Sequence, residues 1–186
     1  MQHLDQNVSI QAARQAVSAG QIIAYPTEAV YGLGCDPFQE KAVHGLLQLK
    51  HRDVAQGLIL LIADWEQLYP LIDPVPEACM AKVKHTWPGH VTWVFPKSQM
   101  IPAWVSGQHE GIAIRMTAHP IARALCAAQP LISTSANQHG QSPVRSIEAL
   151  HAMFPEGIDM FVAGALGQAE QPSAMYDVLS GRCLRY

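Results

Sequence analysis

A chain of 186 residues, 49% of them hydrophobic, can bury a substantial core, which excludes a disordered protein. Its net charge of −3 excludes a surface that is basic all over, although a local basic groove stays open to it. The longest apolar run, Leu58 to Ala63, is far short of the ~20 residues a membrane helix needs.

In chain order, Ser9 is placed to cap a helix over Ile10 to Ala19, with Gly20 as its stop. The strand-like run Gln21–Tyr25 follows and ends at Pro26. Next comes Thr27-Glu28-Ala29-Val30-Tyr31-Gly32-Leu33-Gly34, where the two glycines would let backbone amides approach a ligand. Apolar residues at Ala42, Val43, Leu46 and Leu47 give a helical period over Gln39–Leu49. Lys50-His51-Arg52 closes that helix. An extended backbone here would put both cations on one side and His51 on the other. Either they complement the helix dipole or they seat a polyanion.

Leu58–Ile62 reads as a strand covered on both faces. Asp64 is a candidate cap for Trp65–Ile72, and Pro76–His85 is a further helix ended by Trp87-Pro88-Gly89. Val91–Phe95 and Gly111–Met116 are strands, the second carrying Arg115, whose guanidinium needs a carboxylate or phosphate partner. Helix Pro120–Ala128 and strand Leu131–Thr134 lead to the turn Ser133-Thr134-Ser135-Ala136-Asn137, at the strand end where open α/β sheets bind ligands. Helix Ser146–Phe154, strand Met160–Ala163 and a closing pair, Met175–Leu179 with Cys183–Arg185, complete the chain. In that last strand Leu184 is expected to face the core and Arg185 a groove.

Several neighbouring strands lack the long crossover that parallel pairing requires. The fold class is therefore α/β: a twisted sheet of mixed parallel and antiparallel strands flanked by helices, in one domain over residues 1–186. Met1-Gln2-His3-Leu4-Asp5 lacks the charged and apolar regions of a signal peptide. Cys35, Cys79, Cys126 and Cys183 form no CxxC pair and read as reduced thiols, so a cytoplasmic protein without a zinc site is expected. Neither GxGxxG nor GxxxxGK[ST] occurs, so a nucleotide site must be built another way. No GxSxG elbow or HExxH motif points to a nucleophilic serine or a metal.

Six motifs in order resemble the threonylcarbamoyl-AMP synthase (YrdC-like) family. They are Pro26-Thr27-Glu28-x-Val30-Tyr31-Gly32-Leu33-Gly34, Lys50-x-Arg52, Trp87-Pro88-Gly89-x-x-Thr92, the strand ending in Arg115, Ser135-Ala136-Asn137, and Pro172-Ser173 leading to Arg185. The resemblance implies a concave, basic groove in which L-threonine, bicarbonate and ATP yield threonylcarbamoyl-AMP and diphosphate, with Mg²⁺ arriving on the phosphates. It implies a downstream transferase complex that modifies adenosine 37 of tRNA, with tRNA itself as a further partner. Carried over by position, Lys50 and Arg52 hold the ATP phosphates, Asn137 and Arg185 contact ATP, and Ser135 lies where the substrates meet. Arg115 clamps the threonine carboxylate, with Thr27 and Ser173 nearby.

The chain departs from the pattern at Ala29, where a threonine is usual, at Asp53, Gln56-Gly57 and Leu61, and at His90, where a proline is common. A non-catalytic RNA-binding module is the rival reading, opposed by the net acidity and the lack of an aromatic stacking motif. A carbamoyl-phosphate enzyme is opposed by the missing acylphosphatase and zinc-finger segments.

Overall fold

The computed structural model describes residues 6–138 and 140–185, with side chains of the first helix from Ser9 onward. The Met1–Asp5 start lies outside them. Helix α1 (Gln6–Ser18) leads into β1 (Ile23–Pro26), β2 (Tyr31–Gly34) and α2 (Glu40–Leu49). The chain then gives β3 (Ile59–Ile62), α3 (Trp65–Leu68), α4 (Glu77–Thr86), β4 (Val91–Pro96), α5 (Ala103–Ser106) and β5 (Gly111–Met116). It closes with α6 (Pro120–Cys126), β6 (Leu131–Ser135), α7 (Ile147–Met153), β7 (Met160–Phe161), β8 (Ala174–Asp177) and β9 (Cys183–Arg185).

Among the described residues, nine strands form one sheet in the order β7-β1-β2-β6-β3-β5-β4-β8-β9. Three pairs are parallel, β1/β7, β3/β5 and β4/β8, and the others are antiparallel. This is the mixed sheet expected from the short connections. Central β3 is apolar throughout because both of its faces are covered. Leu60 and Ile62 enter the core beneath α2 and α4, while Leu61 enters the one beneath α1 and α6. Each such leucine, fully withdrawn from water, contributes roughly 1.5–3 kcal/mol.

Three local expectations fail. Ser9 lies inside α1, which begins at Gln6, so it caps nothing. Tyr31–Gly34 is a strand that pairs with β1 on one side and β6 on the other; Tyr31 and Gly32 line the cavity described below, but Gly34 does not. A Cβ on Gly34 would come within 2.4 Å of the Ile132 carbonyl oxygen and 2.9 Å of the Tyr25 ring, so that glycine serves sheet packing. Lys50-His51-Arg52 is a helix terminus and not an extended run. Lys50 keeps helical angles, and His51 takes φ 51°, the left-handed turn that ends α2.

The cap at Asp64 forms as expected, accepting from the Gln67 amide, and Ser146 caps α7 by accepting from the Ala149 amide. All four cysteines are free thiols, and burial pushes Cys35 and Cys126 up to about 12.

Candidate active site

A cavity of about 670 Å³ opens along one side of the sheet. The β1–β2 turn (Thr27, Ala29, Val30), the end of β6 (Ser133, Thr134, Ser135), Arg115 of β5 and Arg185 of β9 contribute to its lining. The strand register brings these parts together. Gly32 of β2 pairs with Ser135 of β6, and Leu61 of β3 pairs with Arg115 of β5.

Arg52 donates from Nη2 to the Gly57 carbonyl at 2.7 Å, while its Nε is buried with no partner among the described residues. Arg185 donates to the Ser173 carbonyl, 2.9 Å from Nη2. Both guanidiniums line the cavity, and among the described residues neither is paired with a carboxylate. Burial lowers both pKa values. The charge of Arg185 adds to the effect on Arg52, and that of Arg115 to the effect on Arg185.

Lys50 is buried and does not line the cavity. Its ammonium donates to the Ser135 carbonyl and, at 2.6 Å, to the Asn137 carbonyl. Burial pushes its pKa down to about 8, and the charge of Arg52 adds to the shift. Lys50 therefore clamps the turn after β6 from below. In that turn Ser135 Oγ donates to Asn137 Oδ1 at 2.5 Å, and Asn137 Nδ2 donates to the carbonyls of Gln138 and Gln141, 2.9 Å from each. Ser135 lines the cavity; Asn137 does not.

Arg115 is 6% exposed and ion-paired, Nη1 to Glu28 Oε2 at 2.8 Å. Glu28 also accepts from Thr117 Oγ1 at 2.7 Å and from the Ala118 amide at 3.2 Å. Burial alone would raise the Glu28 pKa, but the Arg115 charge and the Thr117 hydroxyl outweigh it and hold it below the ordinary value. Thr27 is buried beside this pair, its hydroxyl donating to the Val30 carbonyl at 2.7 Å. Ser173 is also buried, its Oγ 2.8 Å from that of Thr92, which is fully buried.

A strap over residues 164–173 joins these parts. Tyr31 OH donates to the Gly164 carbonyl at 3.3 Å, and the amides of Gly167 and Ala169 donate to the carbonyls of Thr27 and Glu28, each at 2.9 Å. A Cβ on Gly167 would meet the Glu28 carbonyl oxygen at 2.6 Å, so only glycine allows this approach. Farther on, Gln171 and Ser173 accept from His90 and Arg185.

Of the residues chosen from sequence, Thr27, Arg52, Arg115, Ser135, Ser173 and Arg185 line the cavity, and Lys50 and Asn137 stand just behind it. Leu184 departs from expectation: it is 43% exposed and lines the cavity beside Arg185. The edge strand β9 has no core on either face. Sequence reasoning assigned no role to Glu28, although it sits inside the motif next to Thr27. It also passed over Arg145, Glu110 and Glu170, so the lining carries both signs. Among the described residues no cluster of three His, Cys, Asp or Glu could hold a metal ion.

The Sua5/YciO/YrdC family model, described as telomere recombination, matches residues 15–185. The chain belongs to the Sua5/YciO/YrdC family. It is 47% identical over 183 residues to a Coxiella burnetii protein named threonylcarbamoyl-AMP synthase, covering 97% of this chain and 98% of that one. A solved structure of P. abyssi Sua5 complexed with L-threonine superposes with a TM-score of 0.86 at 32% identity, covering 95% of this chain. This chain spans about half of the P. abyssi protein, 52% of its length. E. coli YciO shares the fold, with a TM-score of 0.81 at 24% identity over 97% of this chain and 89% of that one. Among the described residues no helix is long and apolar enough to cross a membrane.

Proposed function

We propose that this protein is a threonylcarbamoyl-AMP synthase, an ATP-dependent nucleotidyltransferase that converts L-threonine, bicarbonate and ATP into threonylcarbamoyl-AMP and diphosphate. The observation that carries the reading is a pair of guanidiniums, Arg52 and Arg185, that line a 670 Å³ cavity and have no carboxylate partner among the described residues. Such groups call for an anionic ligand, and a nucleotide's phosphates have the required charge. The end-to-end likeness to a protein named for this reaction supports the choice of substrates. The threonine complex of P. abyssi Sua5 supports the amino acid.

In this reading the threonine amine and bicarbonate form a carbamate with loss of water. A carbamate oxygen then attacks the α-phosphorus, and diphosphate leaves. In-line displacement at phosphorus needs alignment and charge neutralisation more than a protein nucleophile. Arg52 and Arg185 supply the neutralising charge, and Lys50 keeps the Ser135–Asn137 turn rigid beneath the reacting groups. Arg115 spends Nη1 within the protein and offers its other nitrogens to the threonine carboxylate, beside Thr27 and Ser173. Mg²⁺ enters with the ATP phosphates as part of the substrate. The adenylate then passes to the transferase complex that acts on adenosine 37 of tRNA, in the cytoplasm.

The test is incubation of the purified protein with ATP, threonine and labelled bicarbonate. A labelled adenylate is expected, with diphosphate release that requires both threonine and bicarbonate. Equal release with serine, glycine or no amino acid would overturn the assignment.

A further inference from the structure

We propose that His90 is a positioning residue whose neutral imidazole bridges Arg115 and the strap, fixing the guanidinium for its ligand and tying down the cavity's roof. The proposal rests on the functional reading above and adds a residue that the reading does not use.

His90 Nδ1 lies 3.0 Å from Arg115 Nη1, and His90 Nε2 lies 2.8 Å from the Gln171 carbonyl oxygen. A guanidinium only donates and a carbonyl only accepts. Nδ1 must therefore be the acceptor, and the ring proton sits on Nε2. A doubly protonated ring would have no acceptor for Arg115.

The consequence for Arg115 is geometric. Nη1 carries two hydrogens, and Glu28 and His90 take one each. With both directions fixed, the planar guanidinium has a single attitude in the cavity wall. Its remaining nitrogens make no hydrogen bond among the described residues. Glu28 alone would leave the plane free to swing about one contact.

The other end of the ring grips the strap next to the point where Arg185 holds it. Gln171, Pro172 and Ser173 all line the cavity, and Arg185 and Thr92 bind Ser173 two residues beyond Gln171. One imidazole thus couples the Arg115 side of the cavity to its roof.

Three variants and one spectrum test this. His90→Ala should raise the KM for threonine roughly tenfold, the low end for one lost bond to a charged group, and leave kcat and the KM for ATP near wild type. His90→Asn keeps an oxygen near the Nδ1 position and should recover most of the loss. His90→Gln reaches only the Nε2 position and should not. A His90→Ala enzyme with wild-type threonine KM, or with equal rises for threonine and ATP, overturns the proposal. Imidazole nitrogen NMR of the wild-type protein should show a bare Nδ1 and a protonated Nε2; the opposite tautomer also overturns it. If wild-type protein shows no threonine-dependent diphosphate release, the functional reading falls, and the ring spectrum still decides the bridge.

Discussion

Replacing Glu28 by glutamine removes the anion from a nearly dry ion pair. The side chains of Arg115 and Glu28 are 8% and 13% exposed, so water does little to solvate the orphaned guanidinium. Breaking a buried pair from one side costs about 3–5 kcal/mol. The amide keeps one oxygen, which can still face Arg115, and its nitrogen can donate to the Thr117 hydroxyl. The Ala118 amide then loses its acceptor. The expected loss is at the low end, about 3 kcal/mol, or a fall in melting temperature of about 6–12 °C for a chain of this size. Urea titration at neutral pH reads it as a lower midpoint with an unchanged slope. The deficit depends on pH with a definite sign. Glu28 has a folded pKa below its ordinary value, so wild type holds this stability above the unfolded carboxylate range and loses it as pH falls through the folded value. The two proteins should therefore converge on acidification. A loss at neutral pH below about 0.5 kcal/mol, the scatter of ordinary surface substitutions, would refute the claim that this pair is buried and coupled.

Arg52→Ala and Arg185→Ala should each weaken ATP binding by roughly 1.5–3 kcal/mol, read by calorimetry; wild-type affinity in both would remove the phosphates from this end of the cavity. Lys50→Met strips the donor from two carbonyls and should lower the melting temperature as well as activity. Wild-type stability should also rise between pH 8 and 10.5, because there the unfolded lysine holds a proton that the buried one has released, and the variant should lack that rise. Arg115→Lys keeps charge but loses the fork, so the threonine KM should rise far more than the ATP KM, and unchanged threonine kinetics would make Arg115 purely structural.

The parts of this fold legible in the sequence are those whose signal is apolar period. Helix α2, strand β3 and strand β5 fall where their patterns put them, because burial of one stripe or of both faces leaves a mark on every residue. Strand β2 was illegible because Tyr31-Gly32-Leu33-Gly34 has no β-branched residue and two glycines. Its stability comes from two neighbours far away in sequence, β1 and β6. Helix α5, four residues long, was missed because one turn is too short to show a period. At the site, side-chain types were readable and their partners were not. Arg115 announced that it needed an anion, yet nothing local identified Glu28, 87 residues away, as that anion. Lys50 was legible as a cation at the end of α2, but nothing local named the Ser135 and Asn137 carbonyls as the partners of its amine.

The strap also has a length, and that length matters. It starts after β7, at one edge of the sheet, and ends at β8, seven inter-strand steps across. At about 4.8 Å per step the path along the sheet is roughly 34 Å. Phe161 and Ala174 bound the connection, and 13 residue-to-residue steps of drawn-out chain reach about 43–47 Å at most. The slack is only a few residues, and the detours to Thr27, Glu28 and His90 use part of it. The connection therefore behaves as a guy-line of nearly fixed span between the two flanks of the sheet. Shortening it by three residues would leave almost none of that slack, and the line would have to lift off its ties. A flexible insertion would let it sag and would free the roof without touching Arg52, Arg115 or Arg185.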